Sequence, residues 1–236
     1  MTSFPYPTQT TTLSFGCVSI DLTYITDFDQ LFDELIAKGE AHEDYQDQRI
    51  PYWADLWHSA LAMSQYLVHN EVIKPGLEVL EIGCGLGLPG LVAAKLGAAV
   101  CFSDYMPEPL AFLATNWTQN CQGTLRTLRL DWRDAQLRQR PSLLLASDLA
   151  YEARSFTALL HAFDQLIPPG GRAILTEPGR PIAEPFLAQL RSLAACTVTE
   201  STQKVYWNNF WKTIRVFDLH RAAPTDQIEV VGAATG

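Results

Sequence analysis

Apolar residues along this chain fall into two rhythms that take turns. Val79, Leu80 and Ile82, then Ala98 to Phe102, then Leu143 to Ala146 form short, almost continuous apolar runs. Runs of that length suit strands buried on both faces. Between them lie stripes at helical spacing. These are Phe28, Leu31, Phe32, Leu35 and Ile36; Leu56, Ala60, Met63, Ser64, Leu67 and Val68; Leu91, Val92 and Leu96; Leu110, Leu113 and Trp117. A later stripe over Phe156, Leu159, Leu160, Phe163, Leu166 and Ile167 stops at Pro168-Pro169-Gly170-Gly171, and another covers Phe186, Leu190 and Leu193. Thr124 to Asp131 alternates apolar and polar residues, as a half-exposed strand near a sheet edge does, and Arg172 to Thr176 supplies a fifth strand. Strands alternating with helices predict an α/β fold with a mostly parallel sheet. Two late strands, Cys196 to Gln203 and Thr213 to His220, have no helical pattern between them and should pair antiparallel.

The ends of the chain read differently. Met1 to Thr12 is threonine-rich with two prolines and reads as an arm, and Leu13 to Thr26 as a short strand or hairpin around Gly16. Glu40 to Gln48 reads as a polar loop, and the stretch from Ala222 onward as a tail with little to bury.

The first buried strand runs into Gly83, Gly85, Gly87 and Gly90, with Pro89 placed for a first helical turn. Two templates overlap here. Gly85, Gly87 and Gly90 satisfy the dinucleotide pattern G-x-G-x-x-G, and Glu81, Gly83, Gly85 and Gly87 satisfy acid-x-G-x-G-x-G. Glu81 weighs between them, because a carboxylate at the strand tip opposes a pyrophosphate and suits an ammonium. S-adenosylmethionine (SAM) carries such an ammonium and no phosphate. A purely structural glycine turn is the third reading.

Later strands also end in acids. Asp104 lies where a βαβ unit brings an acid to a ribose, and it is equally placed to cap the helix opened by Pro107 and Pro109. Asp131-Trp132 offers a ring to stack on a base and an acceptor for its amine, or a ring that fills core. Asp148, with Tyr151 three residues on, sits at the carboxyl end of the fourth strand, where open α/β sheets collect ligands; capping a helix is its competing role. Tyr52, Trp53 and Trp57 cluster before the second helix, as staples onto the sheet or, for Trp57, as a cofactor contact. Tyr206, Trp207, Phe210 and Trp211 lie between the late strands, covering the sheet edge or lining a substrate mouth.

Composition narrows the partners. A formal net charge of −9 argues against a general nucleic-acid surface and is compatible with a basic peptide or a protonated lysine. The five cysteines, Cys17, Cys84, Cys101, Cys121 and Cys196, have no zinc spacing and read as free thiols of a reducing cytoplasm. With neither a signal-peptide pattern nor an apolar run long enough to span a bilayer, a soluble cytoplasmic protein with no membrane partner is expected.

From Ile50 to His220 the order of these features resembles the seven-stranded class I SAM-dependent methyltransferases. The Trp57-led helix and Asp148-x-x-Tyr151 resemble methyltransferase family 16, the lysine methyltransferase-like group. The resemblance implies a Rossmann-like seven-stranded sheet, mostly parallel with an antiparallel last strand, flanked by helices. It also implies an N-terminal strand and helix extension over residues 1–49, a methyltransferase domain over 50–221 and a tail over 222–236. By the same resemblance Trp57, Gly83, Cys84, Gly85, Asp104, Trp132 and Ser147 contact SAM or its product S-adenosylhomocysteine, beside Glu81, Gly87 and Asp131 of the motifs. Asp148 and Tyr151 hold the target amine. The acceptor implied is a lysine of a protein, or else a small amine of the nicotinamide kind. A non-catalytic SAM-binding module and a nicotinamide-dependent oxidoreductase stay open beside these, as does the oligomeric state. The first fifty residues match no pattern of the family.

Overall fold

The computed structural model describes residues 5–47 and 49–223, and there the apolar runs become strands and the stripes become helices. In chain order these are β1 (Thr8–Phe15), β2 (Val18–Ile25), α1 (Phe28–Ala37), the single turn α2 (Glu43–Gln46), α3 (His58–His69), β3 (Glu78–Ile82), α4 (Leu88–Lys95), β4 (Ala99–Asp104) and α5 (Pro107–Asn120). Then follow β5 (Arg126–Arg129), β6 (Leu143–Ser147), α6 (Phe156–Leu166), β7 (Arg172–Glu177), α7 (Glu184–Arg191), β8 (Cys196–Trp207) and β9 (Phe210–Arg221). Seven strands form one sheet in the order β5-β4-β3-β6-β7-β9-β8. The first five of these are parallel, β9 runs antiparallel to β7, and β8 antiparallel to β9. The order reverses between β3 and β6, which opens a crevice at their carboxyl ends.

Burial on both faces explains the continuous apolar strands. Leu80, Ile82, Leu144 and Ala146 pack with Leu159 and Phe163 of α6 and Phe186 and Leu190 of α7. Their alternates Val79, Leu143 and Leu145 pack on the other face with Met63 and Leu67 of α3, Leu91 and Val92 of α4, and Phe112 and Leu113 of α5.

Three readings of the sequence are corrected. The arm predicted for Met1 to Thr12 is a strand from Thr8 onward, pairing Thr8 with Ile25 through Phe15 with Val18; residues 1–4 lie outside the described residues. Its β-branched threonines suit a strand, and the hairpin has a core of its own to cover. Phe15, Val18, Ile20 and Leu22 bury their side chains with those of α3 to α5. The polar loop expected from Glu40 to Gln48 contains α2. The late strands are longer than predicted and leave only Asn208 and Asn209 between them, at φ of 48° and 64°. Two left-handed residues make the twisted two-residue turn that hairpins favour, and asparagine tolerates that conformation. Of the tail, residues 224–236 lie outside the described residues.

Asn116 of α5 fastens the first hairpin to the sheet. Its Oδ1 accepts from Thr23 N at 2.8 Å, and its Nδ2 donates to Thr23 O at 3.1 Å and Leu86 O at 3.2 Å. Asn116 is fully buried, so Asn116→Ala strands three backbone groups away from water. The expected loss is about 2–4 kcal/mol in urea unfolding, at an unchanged denaturant slope. A loss under about 0.5 kcal/mol would mean that the hairpin is not part of the cooperative core.

Candidate active site

Gly87 caps α4 in the left-handed conformation, φ 77°, and a Cβ there would meet Leu113 Cδ1 at 2.3 Å. Gly90 answers a different need. A Cβ on it would meet Phe102 Cε1 at 2.3 Å and Glu81 Oε2 at 2.5 Å, so it is the point where α4 lies closest to the sheet. The third glycine of the dinucleotide pattern therefore serves helix–strand packing in this chain.

A cleft of about 300 Å³ opens at the carboxyl ends of the parallel strands. Trp57, Gly83, Cys84, Gly85, Gly87, Asp104, Asp131, Trp132, Ser147, Asp148 and Tyr151 all line it. Glu81 does not, which corrects its reading as a group facing an ammonium. Side chains alternate along β3, so Glu81 points with Val79 toward α4. Its Oε2 accepts from Gly90 N at 3.0 Å within the first turn of that helix. Burial raises its pKa from 4.5 to about 8, and the nearby Asp104 adds to the shift.

Asp104 takes the capping role weighed for it and also braces the glycine turn. One oxygen accepts from Met106 N at 3.1 Å as α5 begins, and the other accepts from Gly85 N at 3.1 Å. The side chain lines the cleft. Burial lifts its pKa from 3.8 to about 6. Asp131 is held by Arg133, whose Nε donates to its oxygens at 2.8 and 3.0 Å. Burial pushes the Asp131 carboxyl up, and Arg133 more than offsets this, leaving its pKa below the ordinary range. Trp132 is half-buried beside Gly83, where a Cβ would approach its ring to 3.3 Å.

On the opposite side three aromatic rings meet edge to face. Tyr52 lies 5.9 Å from Trp57 and 5.4 Å from Tyr151, and Trp57 Nε1 donates to Tyr52 O at 2.7 Å. Burial raises the Tyr151 hydroxyl to about 12, so it keeps its proton at neutral pH. Asp148 lies just beyond β6 at φ 60°, a left-handed conformation in a residue that is not glycine. Such backbone costs energy and persists where the surroundings over-determine it. Here its N donates to Thr176 O at 2.9 Å, Ser59 Oγ donates to its Oδ2 at 3.0 Å, and Arg180 Nη1 donates to its Oδ1.

Sequence reading missed Arg180, Ser59 and Tyr105. Tyr105, at the rim of the cleft, lies under the guanidinium groups of Arg49 and Arg133, 4.7 and 4.9 Å from its ring, and donates to Asp47 at 3.1 Å. Arg180 follows β7 in Glu177-Pro178-Gly179-Arg180, a turn at the ligand-bearing edge, and that placement was the available signal. Ser59 lies in the first turn of α3, beside the apolar stripe and not in it.

This sheet order, with a glycine turn and strand-end acids sharing one cleft, defines a Rossmann-like methyltransferase fold. The magnesium protoporphyrin IX methyltransferase of Synechocystis, solved with bound SAM, superposes with a TM-score of 0.57 at 19% identity, covering 84% of this chain and 92% of that one. A family model described as lysine methyltransferase matches residues 42–191, and the chain belongs to that family. Among curated relatives, the rat histone-arginine methyltransferase METTL23 is 34% identical over 119 residues, 47% of this chain and 52% of that protein. The mouse electron transfer flavoprotein beta subunit lysine methyltransferase is 29% identical over 178 residues, 72% of this chain and 67% of that protein. The chain spans about half the length of the METTL23 and METTL21A relatives that it matches. No helix among the described residues is long and apolar enough to cross a membrane.

Proposed function

We propose that this protein transfers a methyl group from SAM to the side-chain nitrogen of a lysine in a protein. The observation that carries the reading is Asp148, a buried carboxylate presented by left-handed backbone into a cleft walled by Tyr52, Trp57 and Tyr151. SAM fits the remaining donors of that cleft. Gly83 and Gly85 line the cleft with left-handed backbone, φ 57° and 50°, Asp104 offers a carboxylate to a ribose diol, and Trp132 offers a ring to the base. Glu81 has no part in it.

When bound, SAM supplies a methyl on a sulfonium, an electrophile that an amine lone pair attacks in line. The chain's own work is to present that amine without its proton and to keep water away. A lysine has an ordinary pKa near 10.4, so it sheds a proton before attack. The aromatic walls favour the neutral amine by desolvation, and Asp148 accepts an N–H and orients it. Tyr151 holds its own proton too tightly to act as base, so the lysine proton leaves to water. The incoming amine takes over the acceptor now given to Arg180.

An arginine acceptor is the second reading, favoured by one observation: Asp148 already holds a guanidinium, that of Arg180. Calorimetry with SAM and S-adenosylhomocysteine, with NAD as control, tests the cofactor. Labelling a lysate with tritiated SAM, followed by amino-acid analysis, tests the acceptor. Methyl-lysine in the hydrolysate supports the first reading, methylarginine the second, and a labelled small amine alone overturns both. The five cysteines are free thiols, which supports a reducing, cytoplasmic setting.

The cofactor site carries its own pH signature. Asp104 is a carboxylate above about pH 6 and a carboxylic acid below it. SAM affinity should fall about 3- to 10-fold as pH drops from 7.5 to 5, as a charge-assisted acceptor for the ribose is lost. Flat affinity over that range would remove Asp104 from the site.

A further inference from the structure

The longest hairpin of the fold reaches past the edge that carries the site. β9 pairs with β7 from His220 opposite Arg172 to Arg215 opposite Glu177, so Phe210 to Ile214 continue beyond the carboxyl end of β7. Five residues of strand extend about 17 Å. The inner face of this tip is anchored. Val205 is buried, Trp207 meets Tyr24 at 5.9 Å, and Phe210 meets His58 at 4.4 Å, one residue from the Ser59 that holds Asp148.

Its outer face is open. Tyr206 and Trp211 stand opposite each other with ring centroids 5.2 Å apart, exposed by 52% and 61%. Lys204 Nζ lies 5.2 Å over the Trp211 ring. Arg215 links the same strand to Glu177 and Glu184, the two ends of the loop that carries Arg180 and the exposed Ile182. Charge here runs against that of the whole chain. Between Glu200 and Asp218 the two strands carry no carboxylate in a protein of net charge −9, and Lys204 and Arg215 share the face of Tyr206 and Trp211, while Lys212 pairs with Val205 on the inner face.

We propose that the outer face of the β8–β9 tip is the docking surface for the protein substrate, and that it selects an acidic surface bearing an apolar side chain near the methylated residue. Aromatic anchors ringed by cations are what an interface core and its rim require, and the complementary charge sits on the partner. The proposal rests on the protein-methyltransferase reading and names the substrate class for that cleft. It also accounts for two large exposed aromatic rings, Tyr206 and Trp211, that the fold does not need for its core.

The probe is a fluorescein-labelled random copolymer of glutamate and tyrosine, its binding followed by anisotropy at low salt with the full chain. The variants are Lys204→Glu and, separately, Trp211→Ala; both positions are exposed, and both variants keep the far-ultraviolet spectrum unchanged. The parent should bind saturably and lose affinity with added salt, and each variant should bind about tenfold more weakly or worse. No binding by the parent, or variants within about twofold of it, would overturn the proposal. So would a single-stranded oligonucleotide that binds the tip more tightly than the copolymer. SAM calorimetry on the same samples separates the two readings. Lost SAM binding beside intact copolymer binding condemns the methyltransferase assignment, whereas the reverse condemns only the docking surface.

Discussion

Asp148→Asn is expected to lower the turnover of methyl transfer by about 100-fold or more while SAM affinity stays within about threefold of the parent. Asparagine is the substitution that isolates the charge. It tolerates the left-handed backbone that Asp148 adopts at φ 60°, so Thr176 keeps its bond from the residue 148 amide. The new side chain keeps an oxygen for Ser59 to donate to. Arg180 loses its counter-charge but has 28% of its side chain exposed, enough to recover water around the guanidinium. Alanine would confound the test, because a left-handed alanine adds about 1–2 kcal/mol of strain. What the asparagine variant loses is a charged acceptor that orients an amine. An effect confined to turnover marks a group acting on the acceptor and not on the cofactor. Equal losses of turnover and SAM affinity, or full activity, would remove Asp148 from the acceptor site.

Glu81→Gln is expected to raise the melting temperature at pH 8.5 by roughly 5–10 °C and to leave it level with the parent, or slightly below, near pH 4.5. The buried Glu81 carboxyl releases its proton near 8 in the folded chain, against an ordinary value of 4.5 when unfolded. Between those values the folded chain binds the extra proton, so stability present below about pH 4.5 is lost as pH rises toward 8. Linkage puts the full cost at about 4–5 kcal/mol, and an amide with an unpartnered N–H returns about 1–2 of it. Glutamine keeps the acceptor for Gly90 N and has no proton to lose. Melting curves of the two proteins across that pH range should therefore diverge with rising pH. Parallel curves would place an ionised Glu81 in the folded chain and reopen its reading as a charged partner of the cofactor.

Much of the fold was legible because burial on both faces writes itself into composition. Val79, Leu80 and Ile82 have nowhere polar to point, and neither do Leu143 to Ala146, so parallel strands announce themselves. The acids that end these strands were legible for the complementary reason. A carboxylate at the end of a buried run has a price in desolvation that needs a purpose, and Asp104, Asp131 and Asp148 all reach one cleft. The first hairpin was half legible. The threonines from Thr8 to Thr12 looked like those of an arm until they paired with β2, whose Thr23 is held by Asn116, 93 residues away along the chain. The Asn208-Asn209 turn was available in the sequence as two residues that accept positive φ, and the aromatics on either side obscured it.

By itself, then, the sequence determined the strand and helix order, the glycine turn and the set of acids at the strand ends. These follow from local periodicity and from backbone conformations that only some residues accept. Tertiary structure alone decided that Glu81 turns under α4 and away from the cleft, because the side chain's direction depends on which helix covers each face of the sheet. It also decided that Arg180 and Ser59, 32 and 89 residues from Asp148 along the chain, meet on one carboxylate. Such meetings depend on the crossing of distant strands, and no local preference along the chain encodes them.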